Sequence, residues 1–267
     1  MQVAWVGIMQ TKPQLNIRNV TKSFRNKDGE VRVLDDLSFT INESDFVSII
    51  GPSGCGKTTI FNIIAGLLEP DGGTIQFRGQ EVDSLRGRVG YMMQKDLLFP
   101  WRTVLGNVML GLETRGMDME KAQTRARLYL QEFGLSGFEN AYPKMLSGGM
   151  RQRVALIRTL IMDPDILLLD EPFSALDYQT RLYLEGVLKD AVETYKKTVI
   201  LVTHDIDEAV ALSKRVVVLS GRPSRVKQVH SIDIGARSPV AARSDSRFSG
   251  YFHTLCAELD IQTEANT

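Results

Sequence analysis

The stretch GPSGCGKTT, Gly51–Thr59, places three glycines, a lysine and two threonines between two apolar runs. Two glycines separated by four residues and followed by lysine and threonine match the phosphate-loop pattern, which requires a strand before it and a helix after it. Glycines let successive backbone N–H groups surround a phosphate, and the helix N-terminus adds partial positive charge. We predict that Lys57 contacts the β- and γ-phosphates and that the Thr58 hydroxyl binds Mg²⁺. The predicted nucleotide-binding residues here are Gly51, Pro52, Ser53, Gly54, Cys55, Gly56, Lys57, Thr58 and Thr59.

Two adjacent carboxylates end the apolar run in DILLLDEP, residues 165–172. Ligands of open α/β sheets bind at the carboxyl ends of the strands, so this acidic pair is expected beside the phosphate loop. We predict that Asp170 holds Mg²⁺ through water and that Glu171 orients or deprotonates the attacking water. Such a pair alone is also typical of a solvated turn. Together with the phosphate loop it favours hydrolysis of a nucleotide.

A second anion-binding pattern narrows the class of nucleotide enzyme. The segment LSGGMRQR, residues 146–153, places Ser147, Gly148 and Gly149 before a predicted helix, about ninety residues after the phosphate loop. A helix N-terminus of this kind binds anions, so one chain carries one nucleotide and two phosphate clamps. With these motifs the sequence resembles the ATP-binding cassette family, the ATPase subunits of ABC transporters, over about residues 15–221.

The resemblance implies a dimer with a second copy, in which Ser147, Gly148 and Gly149 of one chain cover the ATP held by the other. It also implies roles for residues that are weak signals alone. Phe24 matches the aromatic that stacks on adenine, and Gln94 matches the glutamine that senses Mg²⁺ and the membrane partner. His204 matches the switch histidine that contacts the γ-phosphate, and Ser174-Ala175-Leu176-Asp177 matches the loop that crosses the dimer. The expected catalytic residues are Lys57, Glu171 and His204, and the expected metal-binding residues are Thr58, Gln94 and Asp170.

The signature segment departs from the family at Met150, where the family usually has glutamine. Ser147 and the glycine N–H groups face the phosphate in the family, so we expect activity to survive this change. The role of the side chain at position 150 stays open.

A finer resemblance involves LLFPWRTVLGNV, residues 97–108. Together with the signature segment, it is similar to the ATPases of importers for nitrate, sulfonate, taurine and related small anions. This implies integral membrane permease subunits and, indirectly, an extracytoplasmic solute-binding protein. In the family the stretch after Gln94 meets the coupling helix of the membrane subunit, and an exposed Trp101 would suit such an interface. The alternative is that Trp101 packs within the helical lobe, and Arg102 is equally ambiguous. In the family, residues 132–149 include the segment that relays between the membrane partner and the signature loop, and the alternative for Glu139 is a plain surface residue.

Cys55 lies between the glycines of the phosphate loop. A thiol at a helix N-terminus gains reactivity, whereas a small buried thiol only fills space. From the first interpretation we predict that alkylation inhibits the protein and that ATP protects it.

The pattern of apolar residues predicts an α/β fold. Alternating residues predict a β-hairpin over 14–41. Short apolar strands at 46–50, 165–170 and 198–203 alternate with helices and predict a parallel sheet. The middle third has helical spacing, with Leu128, Phe133 and Leu135 as apolar positions. The prediction is a P-loop NTPase core with a mostly parallel sheet, an N-terminal antiparallel β subdomain and an inserted helical subdomain.

The domain boundaries follow from these elements. A RecA-like core over 14–94 and 165–220 brackets a helical subdomain over 95–164, which together form an ABC ATPase domain over 14–220. Residues 221–267 form a short C-terminal extension that is polar and weakly patterned.

The composition of the 267-residue chain restricts its partners and its cellular location. Thirty-two basic residues balance 32 acidic ones, so no nucleic-acid partner is expected. Two cysteines fit a reducing cytoplasm, and no apolar run reaches the length of a membrane helix. Residues 1–10 include an apolar stretch without a preceding basic residue, so no secretory signal is expected. We expect a cytoplasmic protein, peripheral on the inner face of the cell membrane.

Two other functions compete with an importer ATPase. One is a soluble ABC ATPase of DNA repair or translation, but such proteins carry long coiled coils or tandem cassettes, and this chain has one cassette and no heptad run. The other is a nucleotide-dependent regulatory module that does not hydrolyse ATP, against which Glu171 and His204 argue.

Overall fold

The computed structural model describes residues 13–27 and 29–261. Residues 1–10, where no secretory signal is expected, and residue 28 in the turn of the predicted hairpin lie outside the described residues. The strands are β1 (Pro13–Asn26), β2 (Gly29–Asn42), β3 (Phe46–Ile50), β4 (Gly72–Phe77), β5 (Gln80–Glu81), β6 (Val89–Met92), β7 (Ile166–Asp170), β8 (Thr198–Val202), β9 (Arg215–Leu219) and β10 (Val226–Ser231). The helices are α1 (Lys57–Ile64), α2 (Val104–Thr114), α3 (Met119–Glu132), α4 (Gly148–Leu160), α5 (Tyr178–Thr194), α6 (Ile206–Leu212), α7 (Pro239–Arg243) and α8 (Phe248–Glu258). A short 3-10 helix, Pro143–Met145, precedes α4.

The central sheet has the strand order β10-β9-β3-β8-β7-β6 and is parallel except for β10, which pairs antiparallel with β9. Every residue of β3, β7 and β8 is buried, as expected for parallel strands covered on both faces. The predicted mostly parallel sheet is confirmed. Because these strands share one direction, the residues that follow them meet at one edge of the sheet.

A second, antiparallel sheet has the order β2-β1-β4-β5 and matches the predicted N-terminal β subdomain. Its apolar face and the central sheet enclose α1 in one core, which includes Leu15, Phe39, Phe61 and Ile200. The ring of Phe61 meets Tyr91 edge to face, with centroids 5.7 Å apart. Burial on both sides holds α1, and therefore the loop that precedes it, in a fixed position.

The inserted helices α2, α3 and α4 pack against one another as a lobe, and α4 also contacts β6 of the central sheet. In this lobe, α3 buries Ala122, Ala126 and Leu130, which lie four residues apart on one face. Of the three apolar positions noted in the sequence, Leu128 falls off that face and is 57% exposed, whereas Phe133 and Leu135 are buried.

The C-terminal extension is more ordered than its weak pattern suggests. It contributes β10 to the central sheet and packs α8 against α6, where Phe248 and Leu255 contact a core that contains Val210. Arg243 of α7 also pairs with the fully buried Glu185 of α5 at 2.7 Å. Its elements are short and their apolar residues few, so periodicity gives little signal. In the described part of the chain, no helix is long and apolar enough to cross a membrane.

Candidate functional site

The phosphate loop runs from β3 into α1 and depends on glycine at position 56. Gly56 has φ +112°, and a Cβ there would lie 2.8 Å from Val33 Cγ1 and 2.9 Å from Leu34 Cδ2. Only glycine avoids both the backbone strain and this clash. Lys57 then opens α1, and its ammonium donates to the carbonyls of Gly51 at 2.8 Å and of Pro52 at 3.1 Å. The carbonyls of the loop therefore hold the Lys57 ammonium close to the first N–H groups of α1, which have no partner within the helix.

The predicted metal-binding pair meets at the same edge of the sheet. Thr58 Oγ1 donates to Oδ2 of Asp170 at 3.2 Å. Burial raises the pKa of Asp170, and the neighbouring charge of Glu171 adds to this, while the Thr58 hydrogen bond and Lys57 oppose it. A hydroxyl and a carboxylate are hard oxygen donors of the kind that Mg²⁺ prefers. A divalent cation here would also compensate the two adjacent carboxylates, so the residues fit the predicted metal.

Glu171 lies at the centre of the predicted hydrolytic group. Gln94 Nε2, just after β6, donates to its Oε2 at 2.9 Å. His204 Nδ1, just after β8, lies 3.2 Å from its Oε1. The Glu171 backbone has φ +49° and is held by its N–H bond to Val202 at 2.9 Å. The structure thus brings together three predicted residues from the ends of three neighbouring strands, and the strained backbone directs the carboxylate between the other two.

A cavity of about 490 Å³ opens over this edge of the sheet, a size typical of small-molecule sites. Phe24 is exposed at its rim, with Lys22 Nζ 5.9 Å from the ring centroid. The cavity is lined by the predicted residues Phe24, Ser53, Gly54, Gly56, Lys57, Thr58, Thr59, Gln94, Asp170 and Glu171. Gly51, Pro52, Cys55 and His204 adjoin these residues but are outside the lining.

The signature segment lies outside the cavity of its own chain. Ser147 caps α4 by accepting from the Met150 N–H at 3.2 Å, and Ser147 and Gly148 are exposed. Met150 is partly buried and packs against the core of the helical lobe. The methionine is therefore accommodated as a packing residue, while the exposed helix start remains available to an anion.

Cys55 does not occupy the exposed position that the predicted reactivity requires. It is 1% exposed and belongs to the core around α1. Its Sγ lies 3.0 Å from the position a Cβ on Gly51 would take. A thiol enclosed in this way is inaccessible to an alkylating reagent, so the structure favours the space-filling interpretation.

Trp101 is 71% exposed, which rules out burial within the helical lobe. Its indole stacks on Phe99, with centroids 5.1 Å apart and planes 9° apart. Arg102 instead turns back onto α2 and pairs with Glu113 at 2.7 Å. Glu139 accepts from the Gly137 N–H at 3.1 Å, a local contact. Of the ambiguous residues, Trp101 alone presents a large apolar surface to solvent.

Two further residues reach the site without having been predicted. Gln152, within the signature segment, is buried and contacts the loop after β7. Arg222 enters the cavity from the C-terminal extension and donates to the Gly54 carbonyl through Nη2 at 2.6 Å and Nε at 3.2 Å. The position of Gln152 on the otherwise apolar, buried face of α4 is a sequence signal that could have identified it. Arg222 follows Gly54 by 168 residues, and a local sequence pattern cannot predict a contact over that separation.

Comparison with known proteins identifies the class. The chain matches the ABC transporter family over residues 34–174. It is 44% identical over 248 residues to an uncharacterized ABC transporter ATP-binding protein, YtlC of Bacillus subtilis, covering 92% of this chain and 95% of that protein. It is 43% identical over 215 residues to the aliphatic sulfonates import ATP-binding protein SsuB of Bacillus cereus, covering 80% and 84%.

Among solved structures, the chain is similar to the dimeric ATP-binding cassette MJ0796 in a post-hydrolysis state bound to ADP and phosphate. The TM-score is 0.75 at 33% identity, covering 82% of this chain and 98% of the other. A second dimeric structure of that cassette gives a TM-score of 0.76 at 34% identity. The chain belongs to the ABC transporter family as an ATP-binding subunit, and it is an ATPase.

Proposed function

We propose that this ATPase powers a membrane importer for a small anion such as nitrate, a sulfonate, taurine or a related solute. The observation that carries the hydrolytic part is the placement of Glu171 between Gln94 and His204 at the rim of the nucleotide cavity. The importer part is supported by the similarity to an ATPase named for aliphatic sulfonate import.

Each part of the site has a distinct task in this proposal. Lys57 and the N–H groups of the phosphate loop bind the phosphates of ATP, and Phe24 faces the base. Thr58 and Asp170, with Gln94, would hold Mg²⁺, which supplies charge neutralisation at the phosphates. Glu171 accepts a proton from the attacking water and His204 contacts the γ-phosphate.

The second half of the site comes from a second copy of the chain. Ser147, Gly148 and Gly149 do not line their own cavity, and Ser147 and Gly148 are exposed. Dimeric relatives support a sandwich in which these residues close over the partner's ATP. ATP favours the closed dimer by its higher affinity for that state, and hydrolysis removes this preference.

The surface around Trp101 and Phe99 is our proposed contact with the permease subunits. Trp101 is exposed and stacks on the half-buried Phe99, so its indole can enter an apolar pocket of a partner at small entropic cost. In this proposal the chain lies in the cytoplasm, peripheral on the inner face of the membrane, and an extracytoplasmic binding protein delivers the solute to the permease. No nucleic acid takes part.

Uptake measurements test the proposal. The gene is deleted in the organism that encodes it, and uptake of labelled alkanesulfonate, taurine and nitrate is measured after complementation. We expect wild type, but not Glu171→Gln, to restore uptake of one anion. Trp101→Ala should fail to restore uptake while the purified variant keeps its basal ATPase activity.

Tyr195→Ala removes an aromatic that is also exposed but lies at the end of α5, and it serves as the matched control. Normal uptake of all these anions in the deletion strain would contradict the importer assignment. Full uptake with Trp101→Ala would contradict the docking surface alone.

A further inference from the structure

A second large cavity lies at the opposite edge of the central sheet from the nucleotide site. Its volume is about 480 Å³, within the range of small-molecule sites. Phe46, the first residue of β3, lies in its wall, whereas the phosphate loop follows the other end of the same strand. The C-terminal half of α5 lines one side of the cavity, and the 17 residues of this helix extend about 25 Å along the sheet from the nucleotide edge. An occupant of this cavity is therefore too distant to compete with ATP.

The walls of this distal cavity are apolar and its charges are mostly positive. The apolar lining residues are Phe46, Val192, Val210, Ala211, Leu212, Ile232, Ile234 and Ala236. Among the described residues, the lining holds four cationic side chains and one carboxylate: Lys189, Lys196, Lys214 and Arg237 against Glu193. An excess of positive charge over an apolar chamber favours a ligand that has an anionic group and an apolar body.

Lys189 is the feature that points to a bound anion. The residue is only 9% exposed, yet among the described residues its ammonium makes a single hydrogen bond, to the Ala236 carbonyl at 3.0 Å, and no ion pair. An ammonium has three donors, so two remain to be satisfied. Burial lowers the pKa of Lys189, an effect that Glu193 and Asp190 oppose. An anion in the cavity would supply acceptors for these donors and a negative charge within ion-pair distance.

We propose that the distal cavity is a binding site for a small amphipathic anion, an alkyl carboxylate or alkyl sulfonate. Its acidic group accepts from Lys189, and its chain lies against Phe46, Val210 and Ile234. The site belongs to the chain itself and requires neither ATP nor a second copy. Its existence is therefore independent of the importer assignment.

Isothermal titration calorimetry on the nucleotide-free full chain tests the site, with octanoate and octanesulfonate as probes and octanol and octylamine as neutral and cationic comparisons. We expect at least one anion to bind, and the alcohol and the amine to bind about tenfold more weakly or not at all. The stronger of the two anions identifies the preferred headgroup. Lys189→Met should weaken anion binding by about tenfold or more.

Gly235→Phe provides a second variant that leaves Lys189 in place. Gly235 lines the cavity and is exposed, and a Cβ there meets no atom within 4 Å, so the backbone accepts a large side chain, which we expect to obstruct the cavity. It should abolish binding of the anions. Lys121→Met, on the exposed surface of α3, is the matched control and should bind as wild type. Equal binding of octanol and the anions, or undiminished anion binding in Lys189→Met or Gly235→Phe, would overturn the proposal.

Discussion

Gln152 of α4 donates from Nε2 to the backbone carbonyl of Glu171 at 3.2 Å. Its Oε1 accepts from the Ala175 N–H at 3.2 Å, and Ser174 Oγ donates to the same Glu171 carbonyl at 3.0 Å. One buried amide therefore ties the loop after β7 to α4, the helix that Ser147 caps. In the proposed dimer, Ser147 serves the partner's ATP and Glu171 serves the chain's own. In that proposed dimer, Gln152 would connect the residues that serve the two nucleotide sites.

Gln152→Leu should lower ATP turnover about ten- to hundredfold while leaving ATP affinity within about twofold of wild type, because the substitution displaces the loop of Glu171 and not the phosphate loop. Phosphate release gives turnover, and fluorescent-nucleotide titration gives affinity. Gln131→Leu makes the same chemical change at an exposed position of α3 and should match wild type. Equal turnover in both variants would show that the Gln152 contacts are only structural.

Glu171→Gln should keep ATP binding and lose about 10² to 10⁴ in hydrolysis, because the amide retains the shape but cannot accept the proton. The Gln94 contact at 2.9 Å goes to an oxygen that the amide also provides, so the site should remain assembled. Light scattering with ATP should detect a trapped dimer. Glu132→Gln, at an exposed position, is the control. Normal hydrolysis by Glu171→Gln would remove Glu171 from the mechanism.

Arg222→Ala should raise the dissociation constant for ATP about three- to tenfold, because the loop loses a charge-assisted hydrogen bond at Gly54. Arg222→Lys should recover part of this affinity. Lys57→Ala removes the cation at the phosphates and should abolish ATP binding, so it gives the reference for complete loss of affinity. Arg225→Ala is the neighbouring control, since Arg225 pairs with Asp35 and does not line the cavity. Equal affinities for Arg222→Ala and Arg225→Ala would exclude a role for Arg222 in nucleotide binding.

The sequence predicted those parts of the site that rest on contiguous motifs. The strand, the loop and the helix around Lys57 are adjacent in sequence, and strand direction alone brings Asp170 to the same edge. The meeting of Gln94 with Glu171 and His204 followed from family resemblance, because residues at 94 and 204 carry no spacing signal of their own.

The remaining features depend on tertiary packing, which local pattern does not encode. Leu128 is apolar but lies off the buried face of α3, and Cys55 sits in a polar motif yet points into the core. Arg222 belongs to the C-terminal extension, and Lys189 of α5 donates to the Ala236 carbonyl of that extension, whose short elements are stabilised by contacts with α5 and α6. Whether each of these side chains is buried, exposed or in contact with a distant segment is decided by the packing of the whole fold.

Glu208 makes the stability of the fold depend on pH. Its side chain is buried beneath the loop of His204; Thr203 Oγ1 donates to Oε2 at 2.6 Å, while Oε1 has no partner among the described residues. Burial raises the pKa of Glu208 from 4.5 to about 8, Glu185 and Asp205 add to the rise, and the Thr203 hydrogen bond and Arg181 oppose it. The folded state therefore keeps a proton that the unfolded state releases above pH 4.5.

Because the folded state binds more protons between pH 4.5 and about 8, the contribution of Glu208 to stability is complete below this window and is lost as pH rises through it. The loss approaches about 1.4 kcal/mol per pH unit at most. Glu208→Gln stays neutral, so its free energy of unfolding should decline less between roughly pH 5.5 and roughly pH 8 than that of wild type. Urea unfolding at several pH values measures this difference. Glu69→Gln, in the exposed turn after α1, should follow the wild-type curve, and a Glu208→Gln curve parallel to wild type would show that Glu208 is ionised in the folded protein.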